Sequence, residues 1–546
     1  VETEQLVKEK HGHRLEIASI GPAGENLSLI SGIVTDGGRI AARSGLGAVM
    51  GSKNLKAICL KGNKKAQYAN KGKMVELSRV YNRTIKKYQK NKIINKRIPL
   101  VDRLAPLIRK FKIHLGGGGS LAARLAVISF SSSKLGTTFT NVIFSQNGDS
   151  PVKNYEGVGY RDFPMKKALK IRGKNFKKFI RKGYGCFGCP VRCGAILTFK
   201  GLPYKEKSTH RPEYETCAAF GPLILNDNLE SIIQINEYLN RVGMDTISAG
   251  NVVAFVFEAV EKGILNKSDF VCEAFPEGFL PRWGSSEFIL PILKLMVNRE
   301  GIGDSLADGT KQAAEMIGEG EEFSIHANGQ ELPMHDPRLE PELGMTYITD
   351  PTPGRHTAGS LDFERSAGIN YFVKEITFEN SKERDQKGKY SAKVTKFYKA
   401  FEALGFCSFA TTFGRYPFFE MIKAAFGWTI TPEEILEIGH RIQTLRQMFN
   451  AREGAIRHEI NQRVIGSPPL KKGPIKDVSL DLERMAQGYY DSMGFKKDGV
   501  PKKETLETLD LDFCLNDLEL CTGLPKPLVN EYLAREKKNP HHWKLK

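Results

Sequence analysis

Three cysteines close together in the sequence restrict most strongly how this chain can fold. Cys186, Cys189 and Cys193 are separated by two and then three residues, so one loop can wrap their thiolates around a compact metal centre. Closely spaced thiolates of this kind hold iron–sulfur clusters, whereas zinc sites usually combine two cysteine pairs or a pair with histidines. The triplet therefore predicts an iron–sulfur cluster, with zinc as the alternative, and it requires a distant fourth ligand.

The fourth ligand is expected among the other cysteines of the chain. Cys407, within the segment 404–409, is the candidate that we favour, and spacing alone leaves Cys217, Cys514 and Cys521 as competitors. The chain has 9 cysteines in 546 residues, too few for a disulfide scaffold. The cysteine usage therefore favours a reducing, cytoplasmic compartment.

The chain carries a strong positive charge. Lys and Arg total 81 against 62 Asp and Glu, a formal net charge of +19, which suits either a nucleic-acid backbone or an acidic partner. The basic residues concentrate in 66–114 and in 166–182, and the second run ends shortly before Cys186. Aromatic residues are not interleaved with these runs and no nucleic-acid-binding motif is present. An acidic partner near the cysteine loop is therefore the functional interpretation, and solvated helix faces are the simpler alternative.

Composition and apolar spacing indicate a globular chain. Hydrophobic residues make up 40% and charged residues 26%, which excludes a disordered protein, and no apolar run reaches the about 20 residues of a membrane span. Apolar spacing predicts helices within 227–320 and 391–465 and short strands at 15–20 and 57–60. The proline-rich segment 331–360 is predicted to be an irregular, site-forming loop.

Two groups of residues could supply acid–base chemistry. Glu213 and Glu215 flank Tyr214 about twenty residues after the cysteine loop, and a carboxylate in a dry site can act as a general acid or base. His356 lies in a loop shaped by proline and glycine, where a histidine can position a substrate oxygen or pass protons. His335 lies upstream in the same region. A solvated glutamate pair and exposed histidines are the simpler alternatives.

Several longer strings resemble those of the aldehyde:ferredoxin oxidoreductase family, which are tungsten (sometimes molybdenum) enzymes with a bis-pterin cofactor. These strings occur in the same order as in the family and extend over nearly all of the chain. They lie at residues 17–26, 45–57, 186–194, 212–215, 243–248 and 404–407.

The resemblance implies an α+β fold, in which a partial N-terminal β-rich domain that cradles the pterins precedes two mostly α-helical domains. We place these domains at residues 1–65, 66–390 and 391–546. The second would carry the cysteine loop and the first pterin stretch, and the third the second pterin stretch and the fourth cluster ligand. Family members usually have a further segment before the one that opens this chain. We therefore expect the N-terminal part of the first domain to be truncated or supplied by a separate subunit, and a homodimer is also compatible.

The resemblance also implies roles for particular side chains. Glu215 and His356 match the family's active-site glutamate and histidine, and Tyr214 matches the neighbouring tyrosine. Glu215 would act as base on an attacking water, while His356 would bind the carbonyl oxygen of the substrate. The implied ligands of a 4Fe–4S cluster are Cys186, Cys189, Cys193 and Cys407.

Two stretches match the family's pterin-binding stretches, but each lacks the opening aspartate. Asn240 and Glu402 stand in its place. Glu402 keeps a carboxylate that can accept hydrogen bonds from a pterin amine, whereas Asn240 keeps only an amide oxygen. A third loop resembles the one whose backbone helps to hold the magnesium that bridges the pterin phosphates. The implied cofactor-binding residues are Arg39, Ala41, Arg43, Asn240, Gly243, Met244, Asp245, Glu402, Gly405 and Phe406.

The implied reaction interconverts an aldehyde and a carboxylic acid and passes electrons through the cluster to ferredoxin, which is typically acidic, or to another carrier. One alternative is a tungsten subunit of a multi-subunit complex that reduces an acid or an aromatic acyl-CoA. Another is a non-catalytic iron–sulfur subunit for electron transfer. The identity of the aldehyde does not follow from the sequence.

Overall fold

The computed structural model describes residues 1–90, 135–358, 384–411, 416–456 and 458–521. Within these ranges helices predominate, and the strands form three small antiparallel sheets. This architecture confirms the predicted α+β fold. In the described part of the chain, no helix has the length and apolar character that crossing a membrane requires.

The elements are numbered in chain order. The strands are β1 (Glu16–Ile20), β2 (Ile33–Thr35), β3 (Arg39–Ala41), β4 (Ala57–Leu60), β5 (Ile180–Tyr184), β6 (Gly194–Thr198), β7 (Ser208–His210), β8 (His326–Ala327) and β9 (Gln330–Glu331). The helices are α1 (Glu2–His11), α2 (Pro22–Glu25), α3 (Leu46–Ser52), α4 (Lys71–Gln89), α5 (Asn141–Asn147), α6 (Gly159–Asp162), α7 (Met165–Ala168), α8 (Tyr214–Ala219), α9 (Leu229–Val242), α10 (Thr246–Glu261), α11 (Ile289–Asn298), α12 (Ile302–Leu306), α13 (Thr310–Ile317), α14 (Pro341–Thr349), α15 (Arg384–Ala403), α16 (Ser408–Thr411), α17 (Phe418–Phe426), α18 (Pro432–Arg452), α19 (Leu482–Met493), α20 (Lys503–Thr508) and α21 (Leu515–Cys521).

The first sheet has the strand order β3-β2-β1-β4, and its strands β1 and β4 confirm the two predicted strands. Short helices α2 and α3 pack against each other through glycines. A Cβ atom at Gly51 would lie 2.0 Å from the carbonyl oxygen of Gly24, so a side chain there would separate the two helices. This packing brings the turn before β2 against the end of α9, where the Gly32 N–H donates to the Gly243 carbonyl at 2.8 Å.

The second sheet, β5-β6-β7, presents the cysteine loop as the connection of a hairpin. Tyr184 pairs with Gly194 across the last register of β5 and β6, and the cysteine triplet lies between them. Gly188 adopts a left-handed backbone with φ of 68°, which glycine tolerates and which the tight loop requires. The neighbouring Phe187 is fully exposed at the tip of this loop.

Two consecutive helices form the centre of the larger apolar core. Asn228 caps α9 by accepting from the N–H groups of residues 230 and 231, and Asp245 caps α10 in the same way. Every residue from 247 to 259 of α10 is buried, as expected for a helix that is apolar on all sides. The helices predicted for this region are confirmed.

The C-terminal helices bring the second predicted pterin stretch to the cysteine hairpin. Helix α15 places Phe397 and Phe401 in a second apolar cluster, which also contains Val191 of the hairpin. The chain then turns at Gly405 toward Cys407. Helix α15 runs across the boundary predicted between residues 390 and 391, so that boundary does not coincide with a break in helical structure. The division into three domains otherwise stays a prediction.

One expectation about local structure needs correction. The segment 331–360 contains helix α14 and is therefore not irregular throughout. Pro341 stands in the first turn of that helix, where the missing N–H has no intrahelical partner to lose. The basic run over 66–114, whose pattern also predicts a helix, forms α4 up to Gln89. Its continuation from residue 91 lies outside the described residues.

Candidate active site

Glu215 lies at the centre of a cluster of ionisable side chains. It is on the first turn of α8, and its side chain is 17% exposed. The Met334 N–H donates to Oε2 at 2.8 Å. On the other side, Oε1 lies 3.2 Å from Nε2 of His335 and 3.6 Å from Nε2 of His356. The structure thus brings the predicted Glu215 and His356 together and adds a second histidine.

His335 was noted in the sequence but was not predicted as a site residue. Its Nδ1 lies 3.0 Å from Oδ1 of Asp149, which follows helix α5. The only local signal was its position beside Asp336 in the region upstream of His356, and Asp149 had none. The nearest donor atoms of Glu215, His335 and His356 lie within 4.8 Å of one another. We interpret this spacing as ion pairs of His335 with Asp149 and Glu215, with the ring of His356 beside them.

The three side chains hold different charges near neutral pH. Burial alone would raise the pKa of Glu215, but His356, His335 and the Met334 N–H lower it to about 2. Burial opposes protonation of His335 as well, yet Asp149 and Glu215 raise its pKa well above the usual value. Burial lowers the pKa of His356 to about 4. The site therefore contains a carboxylate, an imidazolium at His335 and a neutral imidazole at His356.

Tyr214 forms hydrogen bonds with residues next to the cluster. Its hydroxyl donates to the Met334 carbonyl at 2.5 Å and lies 2.8 Å from Oγ of Ser150. Burial raises its pKa well above the usual value, so the phenol stays neutral. Tyr214 therefore fixes the segment whose N–H binds Glu215, and a direct catalytic role for it stays a prediction.

The two glutamates of the Pro-Glu-Tyr-Glu string, Glu213 and Glu215, lie in different surroundings. Glu213 precedes α8 and accepts a hydrogen bond from the hydroxyl of Thr137. Its charge acts on the thiol of Cys193 and on Arg39. Glu213 thus lies on the side of the cysteine hairpin, whereas Glu215 faces the histidines.

The loop that carries His356 is anchored through Asp350. The Thr352 N–H donates to Oδ1 of Asp350 at 2.9 Å. Lys399 of α15 and Arg446 of α18 each form an ion pair with the same carboxylate, at 3.2 Å. The two long C-terminal helices therefore fix the start of the loop that ends at His356.

The first predicted pterin stretch forms the turn between α9 and α10. Asn240 is in the last turn of α9, and Gly243 ends that helix with φ of 73°. Met244 is fully buried and forms an isolated bridge with Ser31, which precedes β2. Asp245 accepts hydrogen bonds from the N–H groups of α10, so its carboxylate serves as a helix cap in this structure.

Arg39 and Arg43 carry buried donor atoms close to the hairpin and to this turn, because Arg39 lies over the ring of Tyr184 and Arg43 pairs with Asp245. Arg43 donates to the Glu331 carbonyl, and its Nη1 lies 3.7 Å from Asp245. Nε of Arg43 and Nη2 of Arg39 are buried and have no hydrogen-bond partner among the described residues. Ala41, between them, is exposed at the end of β3. Buried guanidinium donors without acceptors suit an anionic group such as a phosphate.

The second predicted pterin stretch connects to the His356 loop. Glu402 accepts from Arg355 at 2.9 Å and from Lys399 at 3.2 Å. Gly405 adopts φ of 77°, and Phe406 stacks on Phe401 with ring centroids 5.2 Å apart. These contacts place the stretch beside the candidate active site. Binding of a pterin by its residues stays a prediction.

The four predicted cluster ligands share one neighbourhood. Burial, then Glu213 and the three other cysteines of this set, raise the pKa of the Cys193 thiol to about 12. Two of the competing cysteines lie elsewhere, because Cys217 is buried in the large core and Cys514 in a separate apolar cluster. The structure thus favours Cys407 over these two. The side-chain position of Cys521 lies outside the description. A set of four thiols suits an iron–sulfur cluster.

Two family descriptions match the chain over most of its length. "Aldehyde ferredoxin oxidoreductase, N-terminal domain" matches residues 1–62, and "domains 2 & 3" of the same enzyme match residues 123–511. The chain belongs to the aldehyde ferredoxin oxidoreductase family, a family of oxidoreductases, as the sequence strings predicted. The expectation of a missing N-terminal part stays a prediction.

Individual relatives agree with this membership. The tungsten-containing aldehyde ferredoxin oxidoreductase of Pyrococcus abyssi is 30% identical over 516 residues, which cover 94% of this chain and 76% of the relative. The enzyme of the same description from Pyrococcus furiosus is 32% identical over 515 residues, with 93% and 76% covered. The WOR-like subunit of an aliphatic sulfonate oxidoreductase from Pyrococcus furiosus is 27% identical, with 90% and 69% covered.

A solved structure shows the same fold. One chain of the active-site complex BamBC of benzoyl coenzyme A reductase, in complex with 1,5 dienoyl-CoA, aligns with a TM-score of 0.72 and 23% identity. The alignment covers 94% of this chain and 76% of that chain. This likeness extends the fold assignment over almost the whole molecule.

Proposed function

We propose that this chain is an oxidoreductase that interconverts an aldehyde and a carboxylic acid at a tungsten or molybdenum bis-pterin, and that it passes electrons through a 4Fe–4S cluster. The observation that carries the proposal is the ionised Glu215 beside the neutral His356. One group can accept a proton and the other can donate a hydrogen bond to a carbonyl oxygen. The relatives described as tungsten-containing aldehyde ferredoxin oxidoreductases support the choice of cofactor and reaction.

The protein's own groups would perform the proton chemistry. Oε1 of Glu215 would accept a proton from the water that attacks the aldehyde carbon. His356, neutral because burial lowers its pKa, would donate its one N–H to the carbonyl oxygen and so orient the substrate. The anchored loop holds His356 at a fixed distance from Glu215. The two side chains would therefore act on the same carbonyl group of the substrate.

The residues around this site also fit the cofactor. Arg39 and Arg43 would offer their buried donors to the phosphates, and the backbone around Ala41 would help to hold a magnesium ion. The turn from Asn240 to Asp245 and the stretch from Glu402 to Phe406 would line the pterins. When bound, the metal–pterin group supplies the two-electron redox step.

The cysteine hairpin is the proposed exit for electrons. Cys186 and Cys407 are exposed, and Phe187 extends into solvent at the loop tip. Lys174 and Lys177 line an open groove of about 860 Å³ on the preceding basic segment. An acidic ferredoxin or a similar carrier would dock on this basic side, and its electron-transfer rate should fall as salt screens the attraction. A rate independent of salt between low and moderate ionic strength would contradict this docking.

Metal analysis combined with kinetics tests the proposal. The purified protein should contain about one tungsten or molybdenum and about four irons per chain, and it should reduce a viologen dye with an aldehyde. Glu215→Gln should lower kcat/KM by about 10²–10⁴-fold without loss of either metal. His440→Gln, a change of a half-buried histidine in α18, is the matched control and should leave the rate unchanged. Four irons without tungsten or molybdenum would instead support a non-catalytic electron-transfer subunit.

A second candidate function is reduction of an acid or an aromatic acyl-CoA within a larger complex. Two of the similar proteins are described as parts of assemblies, one as a subunit and one as an active-site complex. The two candidates differ in substrate, so assays of the same preparation with free aldehydes and with acyl-CoA thioesters separate them. Activity on thioesters alone would replace the first proposal.

A further inference from the structure

We propose that His335 is a positioning residue for Glu215. As an imidazolium held by Asp149, it would keep the Glu215 carboxylate ionised and fix the direction of Oε1. This proposal rests on the proposed function for the role of Glu215. It assigns to His335 the control of the pH range in which Glu215 is ionised.

The contacts of His335 favour its charged form, because one ring nitrogen hydrogen-bonds to Asp149 and the other forms an ion-pair contact with Glu215. Nδ1 lies 3.0 Å and 3.2 Å from the two carboxylate oxygens of Asp149, and Nε2 lies 3.2 Å from Oε1 of Glu215. A neutral imidazole has only one N–H, whereas the imidazolium donates from both nitrogens. Two carboxylates on opposite sides of one ring therefore need a shared cation between them.

The surroundings hold the ring in this orientation. The ring of Tyr214 packs at a centroid distance of 5.1 Å and that of Phe144 at 5.8 Å. The backbone of His335 is also fixed, because its N–H donates to the Pro333 carbonyl at 2.8 Å and its carbonyl accepts from the Tyr347 hydroxyl at 3.0 Å. Rotation of the ring away from either carboxylate would break this packing.

The other ionisable groups nearby do not replace this cation. Besides His356, they are Tyr155, Tyr214, Tyr347, Asp336, Arg43 and Arg355. The tyrosines are neutral, because burial raises the pKa of each well above its usual value. Asp336 forms an ion pair with Arg338 at 2.7 Å, while the two arginines are paired with Asp245 and Glu402. Among the residues that the structure describes, His335 is thus the cation in direct contact with Glu215.

Titration of Glu215 itself tests the proposal without reliance on turnover. The holoenzyme, His335→Gln and Asp149→Asn would be titrated by infrared difference spectroscopy, and Glu215→Gln would identify the carboxyl band. The wild type should keep Glu215 ionised down to about pH 3, whereas both variants should protonate it about 1–3 pH units higher. In His440→Gln, which changes a half-buried histidine outside the site, Glu215 should titrate as in the wild type.

The pH profile of kcat/KM is a second measurement, and a purely structural role of His335 would not change it. In the variants the acid limb of the pH profile of kcat/KM should rise with the infrared midpoint, while the rate near pH 8 should change much less. Glu215 protonating at the wild-type pH in His335→Gln would overturn the proposal. Should that variant not fold, the same result in Asp149→Asn decides equally. If the wild type oxidises no aldehyde, the proposed function fails, but the infrared titration still decides the role of His335.

Discussion

Replacing Lys399 by methionine should release the loop that carries His356. Nζ of Lys399 lies 3.2 Å from Asp350 and 3.2 Å from Glu402, and the lysine and aspartate side chains are each only 2% exposed. Asp350 in turn anchors the loop through the Thr352 N–H. The substitution keeps the length of the apolar stem and removes only the charge, so its effect reports the ion pair.

The expected cost follows from burial. Removing one partner of a buried ion pair leaves an uncompensated charge and costs about 3–5 kcal/mol. Arg446 remains at 3.2 Å from Asp350, so the free energy of unfolding should fall by about 3 kcal/mol, at the lower end of that range. Burial opposes ionisation of Asp350, but Lys399 and Arg446 lower its pKa from 3.8 to about 2. That contribution is present above pH 3.8 and is lost as the pH falls toward 2.

Urea unfolding at several pH values measures this difference. The difference between the wild type and Lys399→Met should be largest near pH 7 and should shrink as the pH falls from 3.8 toward 2. A further Asp350→Asn change should recover part of the loss. Lys73→Met is the control, because Lys73 pairs with Glu76 on the exposed face of α4, where such pairs contribute about 1 kcal/mol or less. Equal losses for Lys399→Met and the control, or a difference that does not change with pH, would refute the reasoning.

Further predictions concern the site residues. Glu215→Gln should lose a stabilisation of about 3 kcal/mol that exists above pH 4.5 and disappears toward pH 2, because the folded pKa of about 2 lies below the usual 4.5; a loss of unfolding free energy that is constant with pH would contradict this. Cys193→Ser should lose cluster iron in an iron assay, whereas Cys217→Ser, a change in the apolar core, should retain it; equal iron in both would argue against the ligand set. Tyr214→Phe should lower the free energy of unfolding by about 1–3 kcal/mol, because it removes the partner of a buried carbonyl and the contact with Ser150; a variant as stable as the wild type would exclude that role.

Much of the local structure could be predicted from the sequence. Apolar spacing located α9 and α10, and the residues that cap them, Asn228 and Asp245, are types with a strong local preference for that position. The prediction of a loop over 331–360 was wrong for α14, because proline within the first turn is compatible with a helix as well as with a loop. Local composition alone does not distinguish these two cases.

The sequence by itself determined the family, the cysteine triplet and the pair Glu215 and His356, because each is recorded in short strings of neighbouring residues. Only the tertiary structure decided the rest of the site. Asp149 and His335 are 186 residues apart, and no local pattern marks their contact. The charge of His335 depends on the carboxylates of Asp149 and Glu215, which lie on different segments and meet in one buried site. A pKa is a property of surroundings, and in this protein the fold assembles those surroundings from distant parts of the chain.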